Sequence, residues 1–154
     1  MEVIFEQEPE AKAIGIHAPS KGNSTDSGFD IFCPCDLLLS PGERKTVGLA
    51  IKFKLLEGEF GSISMEAQIR PKSGRSKNGL DVELGTIDNG YRNYVGATIT
   101  NTTNKDYAIT KNEKICQIVF VPVFNNIQLV AGHIDATTER GLGGFGSTTL
   151  YKEK

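Results

Sequence analysis

Apolar and polar residues alternate at every second position along much of this chain. From Val47 to Leu55 the apolar side chains fall at Val47, Leu49, Ile51, Phe53 and Leu55, with Lys52 and Lys54 between the last three. From Ile63 to Ile69 the apolar set Ile63, Met65, Ala67 and Ile69 alternates with Ser64, Glu66 and Gln68. Successive side chains of an extended strand point to opposite faces, so each run predicts a strand with one buried and one wet face. "YVGATITNTT" repeats the pattern with β-branched residues, and "KICQIVFVPV" is apolar at both parities, which predicts a strand covered on both sides. Turn signals divide the runs: "SPGE" at Ser40, "EGEF" at Glu57, "DNGY" at Asp88 and "NTTNKD" at Asn101. No long window joins helical spacing to good caps. The prediction is an all-β domain of many short strands, a sandwich or barrel.

A chain of 154 residues is long enough for one domain with a substantial core. Its net charge of −2 and pI near 5.7 exclude a general nucleic-acid binder, which would carry a basic face. No apolar run approaches the roughly 18 residues of a membrane helix. The start, "MEVIFEQEPEAK", is acidic and lacks a secretory leader's basic and apolar segments, so the expected location is intracellular, cytoplasm or nucleus. Three cysteines, Cys33, Cys35 and Cys116, fit free thiols in a reducing compartment. "CPC" supplies half of a zinc site, and His17 and His133 each stand alone.

Three stretches carry chemistry. "RPKSGRSK", residues 70 to 77, packs four basic residues into eight. It reads either as a solvated turn or as a loop cradling an anion, with main-chain N–H groups at Ser73 and Gly74 and Lys72 as counter-charge. "LGTIDNGYRN", residues 84 to 93, sets Asp88 and Tyr91 three apart at a predicted hairpin tip, where an aspartate most often caps its own turn. The end, "ERGLGGFGSTTLYKEK", puts four glycines between Arg140 and Thr149. It lacks the Lys-Ser/Thr and the following helix of a Walker loop. Residues 139–154 are expected to form an arm outside a core of residues 1–138.

Together these stretches resemble the trimeric all-β dUTPase family. Five short motifs carry the resemblance, in order: "DSGFDI" (26–31), "RPKSG" (70–74), "GTIDNGYRN" (85–93), "NEKICQI" (112–118) and "RGLGGFGSTT" (140–149). It covers the chain from about residue 12 to Thr149. The resemblance implies a jelly-roll-like β-clip fold, a homotrimer whose C-terminal arms are exchanged between subunits, and hydrolysis of dUTP to dUMP and pyrophosphate. It implies no membrane and no direct nucleic-acid partner.

Residue roles follow from the same resemblance. Asp88 matches the aspartate that activates water for in-line attack on the α-phosphorus, and a carboxylate suits a base that stays ionised at neutral pH. Tyr91 matches the ring under the deoxyribose, which leaves no room for a 2′-hydroxyl. Leu84, Gly85, Thr86 and Ile87 match the uracil slot, where main-chain groups read the base edge and a reversed donor pattern is penalised. Lys72, Ser73 and Gly74 match the phosphate-contacting trio. Asp30 and Gln117 match residues that hold water around Mg2+ bridging the phosphates, and Gln117 also the substrate. In the arm, Arg140 would grip phosphate, Phe145 would stack on the base, and Gly146, Ser147 and Thr148 would close over the triphosphate.

The chain departs from the family pattern at four places. Lys72 stands where arginine is usual, Glu83 where a small residue often stands, and Asn93 and Asn112 where glycine is usual. A dCTP deaminase of the same fold group needs a glutamate where this chain has Thr98. A binding trimer without chemistry would have little need for Asp88.

Overall fold

The alternating runs form strands because β-branched and aromatic side chains pack well on a pleated, half-buried surface. The computed structural model describes residues 2–55, 63–135, 137–139 and 141. The turn expected at Glu57 and most of the glycine-rich end lie outside the described residues. In chain order the elements are β1 (Ile4–Gln7), α1 (Pro9–Ala13), β2 (Phe29–Phe32), β3 (Leu37–Leu39), β4 (Arg44–Gly48), β5 (Ile51–Lys54) and β6 (Ile63–Arg70). There follow α2 (Ser73–Lys77), β7 (Leu80–Val82), β8 (Gly85–Ile87), β9 (Gly96–Asn101), β10 (Tyr107–Ile109) and β11 (Lys114–Phe124). Every strand pairing is antiparallel. A four-stranded sheet runs β2-β11-β6-β8, a three-stranded one β4-β9-β7, and two pairs are β1-β5 and β10-β3. The all-β expectation holds.

One core joins the sheets. Ile31, Leu39, Leu49, Ile69, Leu80, Ile99, Ile109, Ile115 and Ile118 all lie within it, each nearly or wholly shielded from water. A fully buried side chain of this size contributes about 1.5–3 kcal/mol. In the first half of β11 Ile115, Cys116, Ile118 and Val119 are buried at both parities, as the apolar run predicts, whereas Phe120–Phe124 are half-buried or exposed.

Two expectations are corrected. The run from Val47 to Leu55 is not one strand, since β4 pairs with β9 and β5 with β1. The break falls at Ala50, whose φ of 55° belongs to the left-handed region. Val47, Leu49, Ile51, Phe53 and Leu55 nonetheless all lie in the main core, while Ala50 at the break packs into a small second cluster with Ala11 and Ile16. The segment "LGTIDNGYRN" is not a hairpin either. Strand β8 pairs with β6, whereas β7 and β9 belong to the other sheet, so the turn at Asp88 carries the chain between sheets.

Candidate active site

Residues 70 to 77 do not stay a loop: Ser73–Lys77 wind into the short helix α2. Lys72 holds the N-cap position in extended geometry and contributes no capping side chain. The first N–H groups of a helix have no partner within it, so Ser73 and Gly74 present donors at this end. Arg75 fixes the helix to β11. Its Nε donates to the Lys114 carbonyl at 2.9 Å, and its guanidinium pairs with Glu113 at 3.3 Å. Lys72, Gly74, Arg75, Asn78, Glu113 and Lys114 line an open concavity of about 370 Å3.

Beneath this surface lies Asp30, a buried charge in β2. Its carboxylate is ion-paired with Lys72 through Oδ1 and with Lys114 through Oδ2, the latter at 2.7 Å. Burial alone would raise its pKa. The hydrogen bonds from Lys114 and Lys72, with their charge, outweigh burial and hold it below the ordinary value of 3.8. Beside it in register on β11 is Gln117, whose Nε2 donates to the Pro71 carbonyl at 2.9 Å. Asp30 from β2, Gln117 from β11 and Lys72, Ser73 and Gly74 just after β6 thus gather at one end of the four-stranded sheet.

One edge of that sheet is β8, which pairs on one side only among the described residues. Its free edge offers main-chain N–H and C=O groups to a flat polar partner, as a neighbouring strand would. Leu84 just before it is 64% exposed, so an apolar side chain stands open beside that edge. The turn after β8 is closed by a bond from the Tyr91 N–H to the Asp88 carbonyl at 3.0 Å. Asp88 itself is exposed, and its carboxylate has no hydrogen bond or ion pair among the described residues, so it does not cap its own turn. The Tyr91 hydroxyl donates to the Tyr94 carbonyl at 3.1 Å, which holds the ring against the turn.

Within one chain these two halves do not meet. Asp30 pairs with Gln117, Gln117 with Arg70, and Ile87 with Ala67, so Asp30 and Asp88 stand three strand spacings and several residues apart. That places the two carboxylates roughly 20 Å from each other at about 4.8 Å per strand and 3.4 Å per residue.

Among the described residues no three His, Cys, Asp or Glu side chains stand close enough to hold a metal ion. Asp30 and Gln117 are opposite in register, and both Asp30 oxygens are taken by Lys72 and Lys114, so these residues fit a divalent cation only through its water shell, with phosphate as inner ligand.

A basic cradle around Asp30 and an open-edged strand ending at an exposed carboxylate define this all-β protein. The dUTPase family model matches residues 15–149. The chain is 38% identical over 133 residues to the deoxyuridine 5'-triphosphate nucleotidohydrolase of Nautilia profundicola, covering 84% of this chain and 89% of that protein. It is 30% identical over 131 residues to the one from Saccharomyces cerevisiae, covering 84% and 85%. Its fold is similar to the Staphylococcus bacteriophage 80alpha dUTPase solved with dUpNHpp, with a TM-score of 0.81, 23% identity and coverage of 96% and 98%. It is also similar to a mutant dUTPase from phage phi11 of S. aureus, with a TM-score of 0.73, 21% identity and coverage of 86% and 98%; that protein coordinates a structural Mg(II) ion. The chain belongs to the dUTPase family.

The sequence motifs pointed to Lys72 but not to Lys114 or Arg75 as walls of the concavity. The pairing of β11 with β2 shifts register between Lys114 and Cys116, a bulge that inserts one residue. Strict alternation would put Lys114 and Gln117 on opposite faces. The bulge returns Lys114 to the face of Asp30 and leaves Ile115 and Cys116 buried in succession. Arg140, Phe145, Gly146, Ser147 and Thr148 lie outside the described residues.

Proposed function

We propose that this chain hydrolyses dUTP to dUMP and pyrophosphate, limiting uracil in DNA and supplying dUMP for thymidylate synthesis. The observation that carries the reading is the exposed, unpaired carboxylate of Asp88 at the end of the open-edged strand β8, within a chain matching the dUTPase family over residues 15–149. A carboxylate free of intrachain partners can orient a water and take its proton during in-line attack on the α-phosphorus. The edge of β8 from Leu84 to Ile87 reads the uracil edge, and Tyr91 packs under the deoxyribose. Lys72, Ser73 and Gly74 hold the phosphates, with Gln117 beside them.

The working unit is a homotrimer with three sites at subunit boundaries, and the separation of Asp88 from the cradle supports it. Residues 139–154 form an arm that covers the nucleotide, through Arg140, Phe145, Gly146, Ser147 and Thr148. Mg2+ is the cofactor, held by phosphates and water with Asp30 and Gln117 as outer partners. When bound it neutralises phosphate charge. Three free cysteines support a reducing, intracellular setting. Among the described residues no helix is long and apolar enough to cross a membrane.

Pyrophosphate release from dUTP, dTTP, dCTP and UTP with Mg2+ tests the reading, with Asp88→Asn as control. Turnover of dUTP alone, lost in Asp88→Asn, is expected. Binding of dUTP without turnover of any of the four would leave a nucleotide-binding trimer and overturn the proposal.

A further inference from the structure

We propose that Lys114 is a positioning residue for the phosphate end of the site: it keeps the Asp30 carboxylate neutralised and in place while Lys72 leaves Asp30 for the substrate's triphosphate. The inference rests on the nucleotide-hydrolase reading above. Asp30 is fixed in main chain from both sides. It faces Gln117 of β11 in register and exchanges two bonds with Ser20, from its own N–H at 2.7 Å and to its carbonyl at 3.2 Å. Its side chain is 9% exposed, so its charge cannot turn out to water.

Two lysines therefore answer one buried carboxylate, and they divide it. Lys72 from the start of α2 takes Oδ1, and Lys114 from β11 takes Oδ2. The cluster carries one cation more than it needs for internal neutrality, and both lysines line the concavity beside Gly74. A polyphosphate entering there draws Lys72, which stands at the head of the helix beside the unpartnered N–H groups of Ser73 and Gly74. Asp30 would then face the incoming anion with like charge, buried and unpaired, a strongly unfavourable state. Lys114 prevents it, because it holds the other oxygen from a different element. Its carbonyl is pinned by Arg75 Nε at 2.9 Å, so its main chain stays put when the Lys72 side chain changes partner.

The test uses the full-length protein and three probes: dUTP turnover, inorganic pyrophosphate binding with Mg2+, and binding of 2′-deoxyuridine, which has no phosphate. In Lys114→Met the dUTP KM and the pyrophosphate Kd are expected to rise on the order of tenfold or more, with deoxyuridine binding and oligomeric state unchanged. Lys114→Arg should restore both values to within about threefold, since the guanidinium keeps the charge. If Lys114→Met does not fold, Lys114→Gln carries the same test. Unchanged pyrophosphate binding in the neutral variant overturns the proposal. So does an equal loss for deoxyuridine, which would mark general damage, or an arginine variant as weak as the neutral one. Wild-type protein that binds pyrophosphate but does not turn over dUTP would sink the functional reading instead, and the pyrophosphate arm would still decide the role of Lys114.

Discussion

Gly28 is buried directly against the side chain of Gln117. A methyl group added at Gly28 would overlap Oε1 of Gln117 and lie 3.2 Å from its Cβ. Gly28 is not among the residues with positive φ, so this position is glycine for space and not for backbone freedom. Oε1 sits at the end of a flexible side chain and can move aside, but the move breaks the bond from Nε2 to the Pro71 carbonyl that ties β11 to the cradle. Gly28→Ala should therefore keep the fold and lose roughly a hundredfold in kcat/KM through misplaced phosphate contacts. Steady-state kinetics beside thermal unfolding checks it. A fall in stability with activity per folded molecule intact would contradict the account.

Asn112 offers a stability test at a left-handed backbone position. Its φ is 67°, a conformation that disfavours a Cβ. The side chain compensates: Oδ1 accepts from the His17 N–H and Nδ2 donates to the Gly15 carbonyl, both at 2.9 Å. Asn112→Gly loses the bonds but relieves the backbone, so it should destabilise by about 1 kcal/mol. Asn112→Ala loses the bonds and keeps the strain, and about 2 kcal/mol is expected. Denaturant unfolding at fixed protein concentration separates them. Alanine equal to or better than glycine would refute the argument.

The thiols make a third case. Burial pushes Cys33 up to about 11 and Cys116 up to about 12, while Cys35 is exposed. At pH 8 an alkylating agent should modify Cys35 alone in the folded protein and all three cysteines after denaturation. The two raised thiols also fix a sign. Stability from keeping them neutral is complete below the ordinary thiol value of 9.0 and fades as pH climbs toward their folded values. Rapid labelling of a second cysteine in native protein, seen by mass spectrometry, would count against the packing described.

The sequence was most informative where its signal was periodic. Alternation identified the core residues Val47, Leu49, Ile51, Phe53 and Leu55, and Ala67 and Ile69 in β6, but not that Ile63 is exposed and Met65 half-buried toward the start of that strand. It could not show that β4 and β5 join different sheets, since the kink at Ala50 preserves parity while changing hydrogen-bond partners. Helix α2 was hidden for a different reason: five residues give too few positions for a 3.6-residue period, and Arg75 holds the helix through contacts distant in sequence. The motifs named Asp30, Lys72 and Gln117 separately. Their meeting depends on the antiparallel register of β2, β11 and β6, which short motifs do not encode.

The Asp30 cluster also predicts how the protein meets acid. Burial works against the Asp30 charge, and Lys114 and Lys72 more than offset it, so its folded pKa lies below 3.8. A depressed carboxylate contributes stability that is fully present above its unfolded value and is lost as pH falls through the folded one. Asp30→Asn removes that contribution and leaves two lysines facing each other without the anion. The variant should be less stable than wild type at pH 7. The gap should hold down to about pH 5 and narrow below pH 4, where the wild-type carboxylate takes up its proton. Urea unfolding of both proteins across this range, at one protein concentration, gives the difference curve. A gap that widens on acidification would mean that Asp30 is a net burden in its charged form. The lysines would then owe their positions to the helix start and the strand that carry them rather than to the carboxylate between them.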